Sequence, residues 1–313
     1  MKVGVIGVGI MGENHVRIYS DLKSINEVFV FDLDNEKIKQ LQSKEYGATI
    51  CDSMEELFEK VDAVSICVPT RFHFETTKKA IEKEVHCLIE KPITLTVSEG
   101  EELLKLLENK NLIVGVGHIE RFNPIIDEIK KIIKKPLYIE IRRHNPASTR
   151  ITDSTVVEDL MIHDIDIIFN AFFDSSFGTN ERFYKIHSMG NRDICKTLIK
   201  FNSSFVSMSA SRKSSKKIRS MYIEEEEFTI EGDFMNQEIY VYKKPEKYSI
   251  VRDRYAQENI IEKVLVNKVE PLKEELKTFI DCVKNGHEFT ITPSQALNNL
   301  KICEEIVRLN GIL

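Results

Sequence analysis

Three groups of residues in this chain have the types and spacing to do chemistry. The first is Glu90-Lys91-Pro92. A lysine that leaves an apolar strand and precedes a proline is held at a sheet edge. Partial desolvation there can shift its pKa and let it carry a proton. On spacing alone, a surface lysine paired with Glu90 is the plainer reading. The second group is Asp159 and His163, four apart, with Asp166 three further on. On a helix all three lie on one side, and a carboxylate one turn from a histidine can orient the ring or raise its basicity. Taken alone, an ordinary ion pair is again the plainer reading. No third convergent ligand accompanies the pair, and no metal is expected.

The third group is Gly7-Val8-Gly9-Ile10-Met11-Gly12, directly after the apolar run Val3–Ile6. Gly7 permits a tight turn, Gly9 lets a pyrophosphate approach the backbone, and Gly12 lets the following helix pack against the strand. The helix N-terminus offers unpaired N–H groups to an anion. About twenty residues on, the apolar run 28–32 ends in Asp32, placed to accept hydrogen bonds from an adenosine ribose. Strand, glycines, helix and acid in register point to dinucleotide binding. Asp32 would repel a 2′-phosphate, so NAD is expected over NADP.

The elements that must position these groups alternate strand and helix up to about residue 118. Strands are predicted at 2–6, 28–32, 63–68, 86–90 and 112–116, with a weaker one near 48–51. Helices are predicted at 11–22, 73–83 and 97–109. This implies a Rossmann-type, doubly wound parallel sheet. Ligands bind outside the carboxyl ends of such strands. Pro69, Thr70 and His73, then Glu90 and Lys91, then His118, Arg121 and Asn123 follow three of those ends. Beyond 120 the pattern changes. Helices are predicted at 121–134, 156–171, 271–285 and 293–309. Strands are predicted from 136 to 144 and then in succession at 181–189, 195–201, 204–212, 220–231 and 235–242. That run implies an α+β domain with a large open, mostly antiparallel sheet. The division is 1–120 and 121–313. The run Glu224–Glu227 reads as a solvated strand edge.

Across 313 residues, 42% are hydrophobic and 30% charged, which suits two folded domains. The net charge of −6 and the lack of a basic stripe argue against nucleic acid. No leader or membrane-spanning run is read, so a cytoplasmic location is expected. The six cysteines are scattered without a Cys-x-x-Cys pair, and Cys67 and Cys87 read as core filler.

In order and spacing, the glycine motif, Pro69-Thr70 with His73, Glu90-Lys91-Pro92 and Asp159-x-x-x-His163 resemble those of the glucose-fructose oxidoreductase / inositol dehydrogenase / rhizopine catabolism (Gfo/Idh/MocA) family. The resemblance implies nicotinamide-dependent oxidation of a sugar or polyol hydroxyl. Lys91 and His163 would be the proton-handling pair, in either order, with Asp159 binding substrate or orienting His163. The glycine turn with Ile10 and Met11, Asp32, Pro69, Thr70, His73, Glu90 and Lys91 would serve the cofactor. The open sheet would form a homo-oligomer, a dimer or tetramer. Met161 stands where many relatives carry Gly, which leaves the local packing open. The stretch GVGHIERFNP, residues 115–124, resembles a subgroup that oxidises nucleotide-activated amino sugars. His118, Arg121 and Asn123 would then contact substrate, and one of Arg142 and Arg143 could join them. The alternatives are a dehydrogenase of a free sugar or inositol, a reductase of another carbonyl or imine, and a non-catalytic NAD-sensing regulator.

Overall fold

The structure is a computed structural model that describes residues 1–146, 154–173, 184–201, 204–245, 248–251, 254–257 and 259–311. Two compact units form. The first comprises Met1–Phe122 and Glu270–Lys301, the second Asn123–Val269 and Ile302–Leu313.

The first unit alternates β1 (Lys2–Ile6), α1 (Ile10–Asp21), β2 (Glu27–Phe31), α2 (Asn35–Gln42), β3 (Thr49–Ile50), α3 (Met54–Lys60), β4 (Ala63–Ile66), α4 (His73–Glu82), β5 (His86–Glu90), α5 (Val97–Leu107) and β6 (Val114–Gly117). Its six strands are all parallel, in the order β3-β2-β1-β4-β5-β6. The order reverses between β1 and β4, and a crevice opens at such a switch point. Helix starts are set by local chemistry. Asp34 and Ser53 cap α2 and α3, and Thr96 with Glu99 forms a capping box on α5. Both faces of the sheet are covered, so the strands are apolar throughout: Val3, Val5, Val64, Ile66, Leu88 and Ile89 are at most 1% exposed.

The second unit opens with α6 (Pro124–Ile132) and β7 (Tyr138–His144) and continues through α7 (Ile162–Asp166). Then follow β8 (Tyr184–Gly190), β9 (Ile194–Phe201), β10 (Ser204–Ser211), β11 (Ile218–Glu224), β12 (Phe228–Asp233) and β13 (Glu238–Lys243). A short hairpin of β14 (Tyr248–Val251) and β15 (Arg254–Gln257) precedes β16 (Ile261–Val264). Eight strands form one sheet, β16-β13-β12-β11-β7-β10-β9-β8, antiparallel except where β7 runs parallel to β10. One face carries the core, with Ile139, Ile141, Ile199, Val206, Ile223 and Ile230 buried. On the other face the alternate residues, including Leu198 and Phe205 at 52% exposed, stand outward.

The chain returns to the first unit through α8 (Pro271–Asn285), and α9 (Pro293–Leu309) runs through the division at Lys301. A single boundary near 120 does not express this return. No helix among the described residues is long and apolar enough to cross a membrane.

Three of the expected elements take another form, and β14, β15 and β16 are not among the expected strands. The helix predicted over 121–134 begins at Pro124, after a 3-10 turn at Ile119–Phe122. Proline disfavours helical backbone in the residue before it, and Asn123 becomes the cap instead. The strand predicted over 220–231 is two strands, β11 and β12. Glu224–Glu227 marks the turn between two interior strands, not a sheet edge: Glu225 N–H bonds Phe228 O at 2.9 Å, and the Glu225 carboxylate caps the Lys134 and Lys135 amides. The helix predicted over 156–171 is α-helical only in α7, between π-helical segments Val157–Met161 and Ile167–Phe172. Residues 181–183 of the strand predicted at 181–189 lie outside the described residues.

Candidate active site

In the first unit the glycine turn is tied to its neighbours on both sides. Gly7 N–H donates to Phe31 O at 2.8 Å, and Cys67 N–H donates to Ile6 O at 2.8 Å. Gly7 has φ +86°, where a side chain is strained, and a Cβ there would meet the Cys67–Val68 backbone at 2.8 Å. A Cβ on Gly12 would lie 1.8 Å from Gly7 O, whereas one on Gly9 would meet nothing within 4 Å. Gly9 is the N-cap of α1 and supplies no capping side chain. Its open approach and the helix amides form a cradle of the kind that takes an anion. Ile10 is exposed and Met11 half-buried beside it. Asp32 closes the cradle: Oδ2 accepts from Val8 N at 2.7 Å and Oδ1 from Asp34 N at 2.9 Å.

Pro69 and Thr70 open a 3-10 turn after β4, and His73 starts α4. The His73 ring is 1% exposed, with Nδ1 2.7 Å from Pro92 O and Nε2 2.9 Å from Val68 O. Both contacts are to groups that only accept, yet burial pushes its pKa below the ordinary value. Glu90 ends β5 and is buried. Burial alone would raise its pKa, but the hydrogen bond from His15, with the charges of His15, Lys91 and His73, holds it below the usual carboxylate value. Lys91 follows, half-buried. After β6, His118 is 1% exposed, with Nε2 3.5 Å from Asn299 Nδ2, and Arg121 is half-buried.

In the second unit Asn123 is buried. Its amide donates to Phe234 O at 3.0 Å while its Oδ1 caps Ile125 N at 3.4 Å. Asp159, 8% exposed, lies in the first π-helical segment, and His163, half-buried, is the second residue of α7. Next to His163, Asp164 accepts from Arg143 Nε at 2.9 Å and Arg143 Nη2 at 2.7 Å, both residues at most 1% exposed. This ion pair ties α7 to β7. Asp166 accepts from Asn170 at 3.0 Å. Of the two arginines on β7, Arg143 is thus committed to the core, under Phe234, and Arg142 lies on the open face with Nε 3.3 Å from Ser220 Oγ.

Sequence reasoning passed over His15. It is 0% exposed, and Nε2 lies 3.0 Å from Glu90 Oε1. The available signal was its place three residues after Gly12, on the stripe of α1 that also buries Val16 and Tyr19. Cys67, expected as core filler, packs against the apolar core. It sits under the glycine turn, and its thiol is pushed well up by burial and by Glu90 and Glu275.

Residues 1–118 match the Gfo/Idh/MocA family, described as an oxidoreductase family with an NAD-binding Rossmann fold. The chain is 37% identical over 168 residues to UDP-N-acetylglucosamine 3-dehydrogenase of Acidithiobacillus ferrooxidans, covering 53% of each chain. It is 27% identical over 177 residues to inositol 2-dehydrogenase of Mycolicibacterium smegmatis, covering 53% of this chain and 51% of that one. These matches span about half the length of either relative. The solved structure of UDP-N-acetylglucosamine 3-dehydrogenase GnnA from Acidithiobacillus ferrooxidans superposes with a TM-score of 0.85 at 26% identity, over 99% of this chain and 97% of that one. The parallel sheet order, the glycine cradle and the match over residues 1–118 agree: this chain carries a domain of the Gfo/Idh/MocA oxidoreductase family with its NAD-binding Rossmann fold.

Proposed function

We propose that this protein is an NAD-dependent oxidoreductase that oxidises a hydroxyl of a sugar nucleotide, with UDP-N-acetylglucosamine the first candidate and its 3-hydroxyl the group oxidised. The observation that carries the reading is the 37% identity over 168 residues to a UDP-N-acetylglucosamine 3-dehydrogenase. The GHIERFNP stretch supports it.

The residues of the cradle fit a dinucleotide. Gly9 leaves the backbone open to a pyrophosphate, Ile10 and Met11 present the first amides of α1, and Asp32 stands at the ribose end of β2. Pro69 and Thr70 would border the cofactor at the end of β4. These residues would hold the dinucleotide, whose nicotinamide would supply the hydride acceptor. The roles of Lys91, His163 and Asp159 follow from the family motif. The Lys91 ammonium donates to the reacting hydroxyl and stabilises developing alkoxide charge. His163 accepts the hydroxyl proton, and Asp159 holds the ring. Arg121 offers a guanidinium for a phosphate. His118 and Asn123 would contact substrate, and the Asn123 carboxamide also holds the start of α6. The outward face of the eight-stranded sheet, with Leu198 and Phe205, would join copies of the chain in a homo-oligomer. The protein would act in the cytoplasm.

A second reading, a dehydrogenase of free inositol or sugar, is favoured by the inositol 2-dehydrogenase relative. Steady-state reduction of NAD with UDP-N-acetylglucosamine, glucose and myo-inositol separates the two. A higher kcat/KM for the nucleotide sugar is expected. A higher value for a free polyol would overturn the first reading in favour of the second. Cofactor binding without turnover of any of them would point to a regulator.

A further inference from the structure

Lys91 stands between two residues that are each held by a buried histidine. On its N-terminal side Glu90 Oε1 accepts from His15 Nε2 at 3.0 Å, with His15 0% and Glu90 9% exposed. On its C-terminal side Pro92 O lies 2.7 Å from His73 Nδ1, and the other nitrogen of that ring reaches Val68 O at 2.9 Å. The two histidines come from α1 and α4. The β1-to-β2 and β4-to-β5 steps run in opposite directions across the sheet, and right-handed crossovers then put α1 and α4 on opposite faces. The end of β5 is therefore gripped from both sides of the sheet.

The His15 grip also reaches the cradle. His15 lies one turn after Gly12, whose Cα presses on the Gly7 carbonyl, so the helix that presents the anion-binding amides also holds the carboxylate beside Lys91. Cys67, whose Sγ lies within 4.8 Å of the His15 and Glu90 ligand atoms, stays a neutral thiol because burial raises its pKa. The hydrogen-bonded partner of Glu90 on α1 is His15. Gly117 lines the other flank of Glu90: a Cβ there would stand 3.4 Å from its carboxylate.

We propose that His15 is a positioning residue for Lys91: through Glu90 it ties the lysine at the end of β5 to the helix that opens the dinucleotide cradle, while His73 holds the Pro92 side. The inference rests on the reading of Lys91 as a proton-handling group. His15 does not touch the reacting atoms. It sets where the Lys91 ammonium stands.

The test compares His15→Ala, which removes the donor, with His15→Gln, whose amide N–H can reach Glu90, and with Lys91→Ala. Two readouts separate positioning from a lower folded fraction. The first is the deuterium isotope effect on kcat with UDP-N-acetylglucosamine labelled at C3. A misplaced lysine slows the chemical step and raises that effect, whereas fewer folded molecules scale kcat and leave it unchanged. The second is the rate of reductive methylation of Lys91 in the cofactor-free protein, mapped by mass spectrometry against Lys60. His15→Ala is expected to lower kcat about tenfold or more, to raise the isotope effect and to change the Lys91 rate, with NAD affinity within about twofold. His15→Gln is expected to restore most of each. Should His15→Ala fail to fold, Glu90→Gln, which keeps the volume and removes the charge, carries the same readouts. Unchanged isotope effect and unchanged Lys91 methylation would overturn the proposal. Full activity of Lys91→Ala would overturn the underlying role of Lys91 instead, and the methylation rates would still judge the tie itself.

Discussion

Gly12 packs on the carbonyl of Gly7 so tightly that a single methyl on it would stand 1.8 Å from that oxygen. Gly9, midway between them, faces open space. The two positions therefore predict opposite phenotypes. Gly12→Ala must push α1 away and is expected to cost about 2 kcal/mol or more of stability. Gly9→Ala is expected to leave stability within about 0.5 kcal/mol, yet to weaken NAD binding about tenfold or more, because its methyl fills the approach to the backbone. Thermal unfolding and cofactor titration of the two variants check this. Wild-type NAD affinity in Gly9→Ala would remove the cradle from the binding site.

Asp32 sets the expected preference for NAD. Its carboxylate is oriented by the Val8 and Asp34 amides, so Asp32→Asn keeps an acceptor and removes the charge. Wild-type protein is expected to bind NAD at least about tenfold more tightly than NADP, and the variant to lose most of that ratio. Equal affinities in the wild type would refute the assignment.

The Arg143–Asp164 pair is fully buried. Arg143→Met leaves an uncompensated carboxylate beside His163 and is expected to destabilise by about 3–5 kcal/mol. Arg143→Met with Asp164→Leu should recover much of that loss, since neither charge then remains in the core. Urea unfolding of the single and double variants measures both. A single variant as stable as wild type would show the pair to be dispensable.

Acidification should act in two steps. His73 is depressed by burial below its ordinary 6.5, so the unfolded chain takes up this proton first. Its contribution is complete above pH 6.5 and declines as the pH falls toward the folded-state value. His86 and His144, depressed by burial too, act in the same direction. Glu90 is held below 4.5, so its contribution is complete above that pH and is lost as the pH falls through the folded value. The urea midpoint of His73→Asn is expected to vary less than that of the wild type just below pH 6.5. Parallel curves for the two proteins would contradict a His73 pKa lowered by burial.

Much of the first unit is written in local sequence. The apolar runs that become β1, β2, β4, β5 and β6 are buried on both faces, and a strand so placed needs no partner pattern to be recognised. The glycine spacing and Asp32 likewise report a local turn, because Gly7 needs φ +86° and Gly12 needs to lack a Cβ. The caps Asp34, Ser53 and Thr96 and the helix-opening Pro124 are local signals of the same kind.

What sequence alone could not decide depends on contacts between distant residues. His15 and Glu90 are 75 positions apart, and His73 and Pro92 are 19 apart. Only the crossover of α1 and α4 onto the sheet brings each pair together. Nothing in the alternation of Arg142 and Arg143 says which one meets a carboxylate. The register of β7 against β10 and β11 puts Arg143 on the core face, where Asp164 waits. The switch from α to π turns around α7 is also tertiary, since its local residues are ordinary helix formers and β-branched apolar ones. Residue identity determined which chemistry this chain could hold. Packing decided which charged groups are pinned in the core and which stand at the ends of the strands, because a buried charge is stable only where the fold delivers its partner.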